Sequence, residues 1–247
     1  LPTRLPCSSN LFLGCAGWSL PRAHWPAFPD EGSHLQRYSA RFPAVEINSS
    51  FYRPHRPATY AKWADSVGPD FRFSVKVPKQ ITHDRRLHDC EGLVDEFLGQ
   101  CSQLGEKLGC LLIQLPPSLA FDNTQAERFF GALRDRYQGP AVLEPRHPSW
   151  LAPQAMAMLE NERIGRVAAD PSPLSGGVRP AGWPGIRYYR LHGSPRIYYS
   201  PYEETWLKQF AQQLKSAADT PTWCIFDNTA SGAATPDALR LMELMRD

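Results

Sequence analysis

The stretch Ala44-Val45-Glu46-Ile47-Asn48-Ser49-Ser50-Phe51-Tyr52-Arg53 opens as a short strand in which apolar Val45 and Ile47 alternate with Glu46 and Asn48. Successive strand side chains point to opposite faces, so a strand covered on both sides would carry a carboxylate and an amide into the interior. An unpaired carboxylate is costly to bury unless a cation or donor meets it. The remaining strands must therefore supply partners for Glu46.

Eight apolar runs of strand length can be read: LFLGCAG from 11, AVEINS from 44, FRFSVKV from 71, CLLIQLP from 110, AVLEPR from 141, IGRVAAD from 164, IRYYRLHG from 186 and TWCIFDN from 222. Amphipathic helical patterns separate most of them, around 33–42, 57–67, 91–108, 124–137, 153–162, 203–217 and 236–246. Thr124-x-x-Glu127 reads as a capping box, and Thr235-Pro236 places a proline at the start of the last helix. The segment 171–185, PSPLSGGVRPAGWPG, is too rich in Pro and Gly for a helix and predicts one irregular crossover. Strand and helix alternate without a Gly-rich dinucleotide fingerprint after the first strand. The pattern predicts an α/β fold, a single (β/α)8 TIM barrel over 1–247, with a doubly wound sheet as the alternative.

With 247 residues, 42% hydrophobic and 21% charged, and a net charge of +2, the chain has the composition of a globular domain. That charge does not announce nucleic acid or a membrane surface as partner. Neither a membrane span nor a signal peptide is expected, and the six cysteines (7, 15, 90, 101, 110, 224) lack metal-ligand spacing. They read as reduced structural thiols of a cytoplasmic protein. The oligomeric state is not readable.

Alternation assigns the interior of each strand. Glu46 and Asn48 point in from the second, Arg72, Ser74 and Lys76 from the third, and Gln114 from the fourth. Glu144 and Arg146 follow from the fifth, Asp170 from the sixth, Arg190 and His192 from the seventh, and either Asp227 or Asn228 from the eighth. Most lie toward the C-terminal ends of their strands, the face on which barrel enzymes build their sites.

The motifs LGCAGWS, HWPAFP, VEINSSFYR, FSVKVPKQITH, QLPPS, LEPRHPSW, YYRLHG and FDNTASGAA, in this order from Leu11 to the last helix, resemble the YecE-like family, domain of unknown function seventy-two. The resemblance implies a TIM barrel and brings no established reaction. The first motif departs at Trp18-Ser19-Leu20, where relatives often carry an aromatic.

Several chemistries can be weighed from the residues. No GxSxG elbow or phosphate loop is present. His83, His147 and His192, with the interior carboxylates, raise a divalent metal as an alternative, but Lys76, Arg146 and Arg190 would repel it. No metal ligand and no cofactor is predicted. A glycosidase pair on the fourth and seventh strands is replaced by Gln114 and by Arg190 with His192. The cations favour an anion, because guanidinium forks suit phosphate or carboxylate.

The expectation is an enzyme, of hydrolase or isomerase/lyase type, acting on a small anionic ligand by general acid/base chemistry. Glu46, Lys76 and Glu144 are the candidate catalytic residues. Asn48, Tyr52, Arg53, Gln114, Arg146, Trp150, Asp170, Arg190, His192, Asp227 and Asn228 are the candidate binding residues. The competing expectation is a nucleic-acid binder or metal-dependent phosphodiesterase like the endonuclease-four barrels, using basic and aromatic rim loops.

Overall fold

The computed structural model describes residues 10–216 and 219–246, so Cys7 lies outside the described residues. Strand and helix alternate as the runs predict: β1 Leu11–Cys15, α1 His34–Ser39, β2 Ala44–Ile47, α2 Pro57–Asp65, β3 Arg72–Lys76, α3 Glu91–Cys101, β4 Leu108–Gln114, α4 Asn123–Arg136, β5 Ala141–Glu144 and α5 Pro153–Asn161. The sixth run is divided into β6 Ile164–Arg166 and β7 Ala168–Asp170. After it come β8 Ala181–Gly182, β9 Arg187–Leu191, α6 Glu204–Lys215, β10 Thr222–Phe226 and α7 Ala234–Leu244. The segment 171–185 forms no helix, and its short β8 pairs antiparallel with β6.

Two helix starts differ from the sequence reading. Asp122, not Thr124, caps α4 by accepting from the Gln125 amide at 2.8 Å. Pro236 lies inside the first turn of α7, whose cap position is Ala233. In both cases the helix begins earlier than the motif suggested.

The architecture is a mixed α/β fold of parallel sheets and helices. One sheet runs β1-β10-β9-β7 and the other β2-β3-β4-β5-β6-β8, so the ladders do not form one continuous ring. The sheets meet twice. Ala16, just past β1, bridges Glu46 on β2, and the Gly17 amide donates to the Glu46 carbonyl at 2.9 Å. At Val167 the sixth run passes from one sheet to the other, its amide donating to Leu143 of β5 at 2.8 Å.

The outward faces of the strands, with Val45, Ile47, Phe73, Val75, Leu111 and Leu143, pack with the helices into one large core. A smaller apolar layer fills the inner side at the N-terminal ends of the strands. There Trp223 stacks between Phe12 (4.8 Å) and Tyr188 (5.8 Å), beside Leu112 and Val142. This floor closes the interior and leaves its C-terminal half to polar side chains. No described helix is long and apolar enough to cross a membrane.

Candidate functional site

Above that floor, β2, β3, β4, β5, β9 and the residues after β10 direct polar side chains at one another. Arg190 stands at the centre, fully buried. Its Nε and Nη2 donate to the two oxygens of Glu46 at 3.0 and 2.7 Å, a two-pronged contact. Nη1 donates to Glu144 at 2.7 Å, and Nη2 also reaches Asp227 at 3.0 Å. One guanidinium thus joins three buried carboxylates from three strands. Tyr188 donates to Glu46 at 2.9 Å and lies 2.8 Å from the Ser74 hydroxyl, which completes the carboxylate's environment.

The carboxylates have further partners. Gln114 and Arg146 donate to Glu144 at 3.1 and 3.2 Å. The Nδ1 of His192 lies 3.0 Å from Asp227, while its Nε2 is 3.4 Å from Glu144 without hydrogen-bond geometry. Burial by itself would raise the Glu144 carboxyl, but Arg190, His192 and Arg146 override it and hold the group well below the usual carboxylate range. Asp227 is lowered in the same way, against burial, by Arg190 and His192. For His192 the contacts with Asp227 and Glu144 outweigh burial and raise its pKa. Glu144 and Asp227 are therefore held as carboxylates around Arg190.

Lys76 is different. It is 5% exposed at the end of β3, and burial, helped by Arg190, pulls its pKa down to about 8 against the attraction of the three carboxylates. Its Nζ lies 4.1 Å from the centre of the Phe51 ring, and no hydrogen bond or ion pair ties it among the described residues. The His83 ring stands nearly perpendicular to the same Phe51 ring, their centres 5.0 Å apart. Burial lowers the pKa of His83, and Lys76 and Arg146 lower it further. Arg146 reaches outward to the Tyr198 hydroxyl at 3.3 Å and leaves its buried Nε unpaired. The mouth thus carries Lys76, His83 and Arg146, while the carboxylates beneath are engaged.

Alternation along the strands brings Glu46, Lys76, Gln114, Glu144, Arg146, Arg190, His192 and Asp227 together. Six candidates do not join them. Asp170 shares the side of Ala168, which packs toward the helices; its carboxyl accepts from Tyr202 and is raised by burial. Asp227 is the third interior carboxylate instead. Asn228 points away, donating to Asp237 at 2.7 Å and to the Ser200 carbonyl at 2.9 Å. Trp150 is a core residue, 1% exposed, with its indole donating to Leu119 and its ring against Phe121. Arg53 is exposed on the turn after Phe51.

Asn48 and the 69%-exposed Tyr52 line a separate groove of about 420 Å³ with Trp18, beyond the ends of β1 and β2. A larger hollow, about 540 Å³, lies on the outer side beside Asp170 and Trp206, away from the polar cluster.

Tyr188, Phe51 and the role of His83 beside Lys76 escaped the sequence reading. Tyr188 shares its face with Arg190 and His192, so alternation alone could have found it. Among the described residues no His, Cys, Asp and Glu side chains gather as a metal-binding set. A guanidinium occupies the position between the carboxylates where a cation would be drawn.

The family model described as "Protein of unknown function DUF72" matches residues 12–247. The UPF0759 protein YecE of Escherichia coli K12 is 30% identical over 143 residues, 58% of this chain and 50% of YecE, so the match spans about half that relative's length. UPF0759 protein YunF of Bacillus subtilis is 22% identical, covering 95% of this chain and 94% of YunF. Crystal structures of DUF72 family proteins share the fold. The protein from Enterococcus faecalis V583 has a TM-score of 0.80 at 19% identity, covering 96% of each chain. That from Thermotoga maritima MSB8 has 0.76 at 24%, covering 96% of this chain and 100% of the other.

Proposed function

This chain belongs to the DUF72 family, and on that premise we propose that it is an enzyme acting on a small anionic substrate at the C-terminal mouth of a (β/α)8 barrel. The barrel reading takes the two sheets as arcs of one ring. It is supported by the Ala16–Glu46 bridge, by the passage of the sixth run through Val167, and by Arg190 on one sheet gripping Glu46 and Glu144 on the other.

One observation carries the functional reading. Lys76 is a buried amine without a carboxylate partner among the described residues, set with Arg146 near His83 and above carboxylates that Arg190 already engages. A structural lysine would be paired; this one offers three N–H donors to an arriving acceptor. An anion there meets Lys76 and the Arg146 fork, and the carboxylates below fix the charge of the site rather than blocking it.

Proton transfer falls to Lys76, near 8, and to His83, lowered toward its neutral form. Glu46 and Glu144 serve in this reading as counter-ions that hold Arg190 and set the field at Lys76. Groups with displaced pKa values gathered in one cluster mark a candidate for a functional site.

The test is competitive labelling with an amine-reactive acetyl ester, read by peptide mass mapping. Inorganic phosphate or acetate should slow acetylation of Lys76 several-fold while leaving exposed Lys79 unchanged. Equal labelling of Lys76 with and without either anion would remove the anion site.

A further inference from the structure

The chemistry of Lys76 goes further than holding an anion, and the next step rests on the reading of the mouth as an anion site. We propose that Lys76 forms an imine with the ketone carbon of a short 2-oxo carboxylate, whose carboxylate is gripped by Arg146 while His83 carries the protons.

Three features of the mouth support covalent attachment over simple ion pairing. An ammonium has three donors to satisfy, yet Lys76 Nζ has only the face of Phe51, at 4.1 Å, among the described residues. An iminium nitrogen has a single N–H to satisfy in place of three, which suits a position that supplies no protein acceptor. Burial and Arg190 disfavour the ammonium, and Glu46, Glu144 and Asp227 offset only part of that, so the amine is released toward its neutral form. Finally, a usable amine must be neutral. A pKa near 8 leaves roughly a tenth of Lys76 neutral at pH 7, on the order of a few hundredfold more than an ordinary lysine.

The step balances within the named groups. The neutral Nζ attacks the ketone carbon, and the C=O pair moves to oxygen. His83, whose ring shares Phe51 with Lys76, takes the proton released by the nitrogen and delivers it to that oxygen. The nitrogen loses its two hydrogens in all, and they leave with the oxygen as one water. The imine nitrogen then takes a proton from solvent to become the iminium. Arg146, with an unpaired buried Nε and one hand already on Glu144, is placed to hold the adjacent carboxylate. That pairing selects a ketone next to a carboxylate over an uncharged ketone.

The experiment is borohydride reduction of the whole protein in the presence of pyruvate, followed by peptide mapping. The expected result is a reduced pyruvate adduct on Lys76, at least roughly tenfold above that on exposed Lys79. It should vanish in Lys76→Met, fall in Arg146→Met and be absent with acetone. Lactate, which has the carboxylate but no ketone, should suppress the adduct in the unmodified protein, so the specificity does not hang on a variant folding. If pyruvate, glyoxylate and oxaloacetate all leave Lys76 unmodified while lactate still slows its acetylation, the imine is overturned and the anion site stands. If lactate does not slow acetylation either, both are overturned.

Discussion

At the scale of single residues, two neighbouring cations have opposite effects on stability. Arg190 is bound to three buried carboxylates, so Arg190→Met strands their charges and should cost roughly 3–5 kcal/mol or more in urea unfolding. Lys76 is buried without such partners and should cost stability at neutral pH. Its pKa is about 8 folded against 10.5 ordinarily, so between those values the unfolded chain holds the extra proton and stability rises with pH. Below pH 8 both forms are protonated and the burial cost of the ammonium is present in full. Lys76→Met should therefore be the more stable protein at pH 7, and its advantage should shrink as pH rises toward 10.5. Buried thiols act the other way, since Cys15 and Cys101 are pushed up to about 12 and the unfolded chain loses those protons first. The quantity to measure is the difference between wild type and variant across pH, in which the thiols cancel; a flat difference would mean that Lys76 titrates normally.

At the scale of elements, alternation made most of the polar layer legible, because β2, β5 and β9 pair without a register shift and carry apolar residues such as Val45, Ile47, Leu143 and Leu191 on their outward faces. It failed on the sixth run. There Ala168 and Ala169 carry no facial signal, and Val167 is an interior residue at the crossing between sheets. That offset turned Asp170 outward. Trp150 misled for another reason: its loop reads as rim, but a short helical turn at Pro148–Leu151 rotates the indole into the core. The crossover 171–185 was legible as irregular from its composition, though not its pairing with β6. That pairing depends on Gly182, at φ +68°, where an added Cβ would lie 2.7 Å from the Ile164 carbonyl. Gly182→Ala should cost roughly 1–3 kcal/mol in thermal or urea unfolding. Acetylation of Lys76 in the folded variant should be unchanged, because β8 lies outside the polar cluster. A loss of anion protection in Gly182→Ala would show that the crossover shapes the mouth.

At the scale of the whole molecule, closure of the two sheets depends on how β1 meets β2. A Cβ on Gly14 would stand 2.0 Å from the Ala44 carbonyl, so the backbones approach here as only glycine allows. The Cys15 amide and the Ala44 carbonyl do not pair directly. The hydroxyl of Tyr38, from α1, stands between them, accepting from Cys15 at 2.8 Å and donating to Ala44 at 2.9 Å. One side chain thus supplies the rung that the ladder lacks, and beyond it the Gly17 amide resumes direct pairing with Glu46. The same Glu46 carries the two-pronged contact with Arg190, so the seam and the polar cluster share a residue. Tyr38→Phe keeps the ring in the core but leaves a buried amide and a buried carbonyl unsatisfied, which should cost roughly 2 kcal/mol. Amide hydrogen exchange should then quicken at Cys15 and Gly17 while Cys224, in the middle of the β1-β10-β9 ladder, stays protected. If the sheets are arcs of one ring, the loosening should also raise acetylation of Lys76, because Glu46 moves with the seam and the field at Nζ weakens. Unchanged exchange at Cys15 and Gly17 would mean that the Tyr38 hydroxyl does not hold the seam.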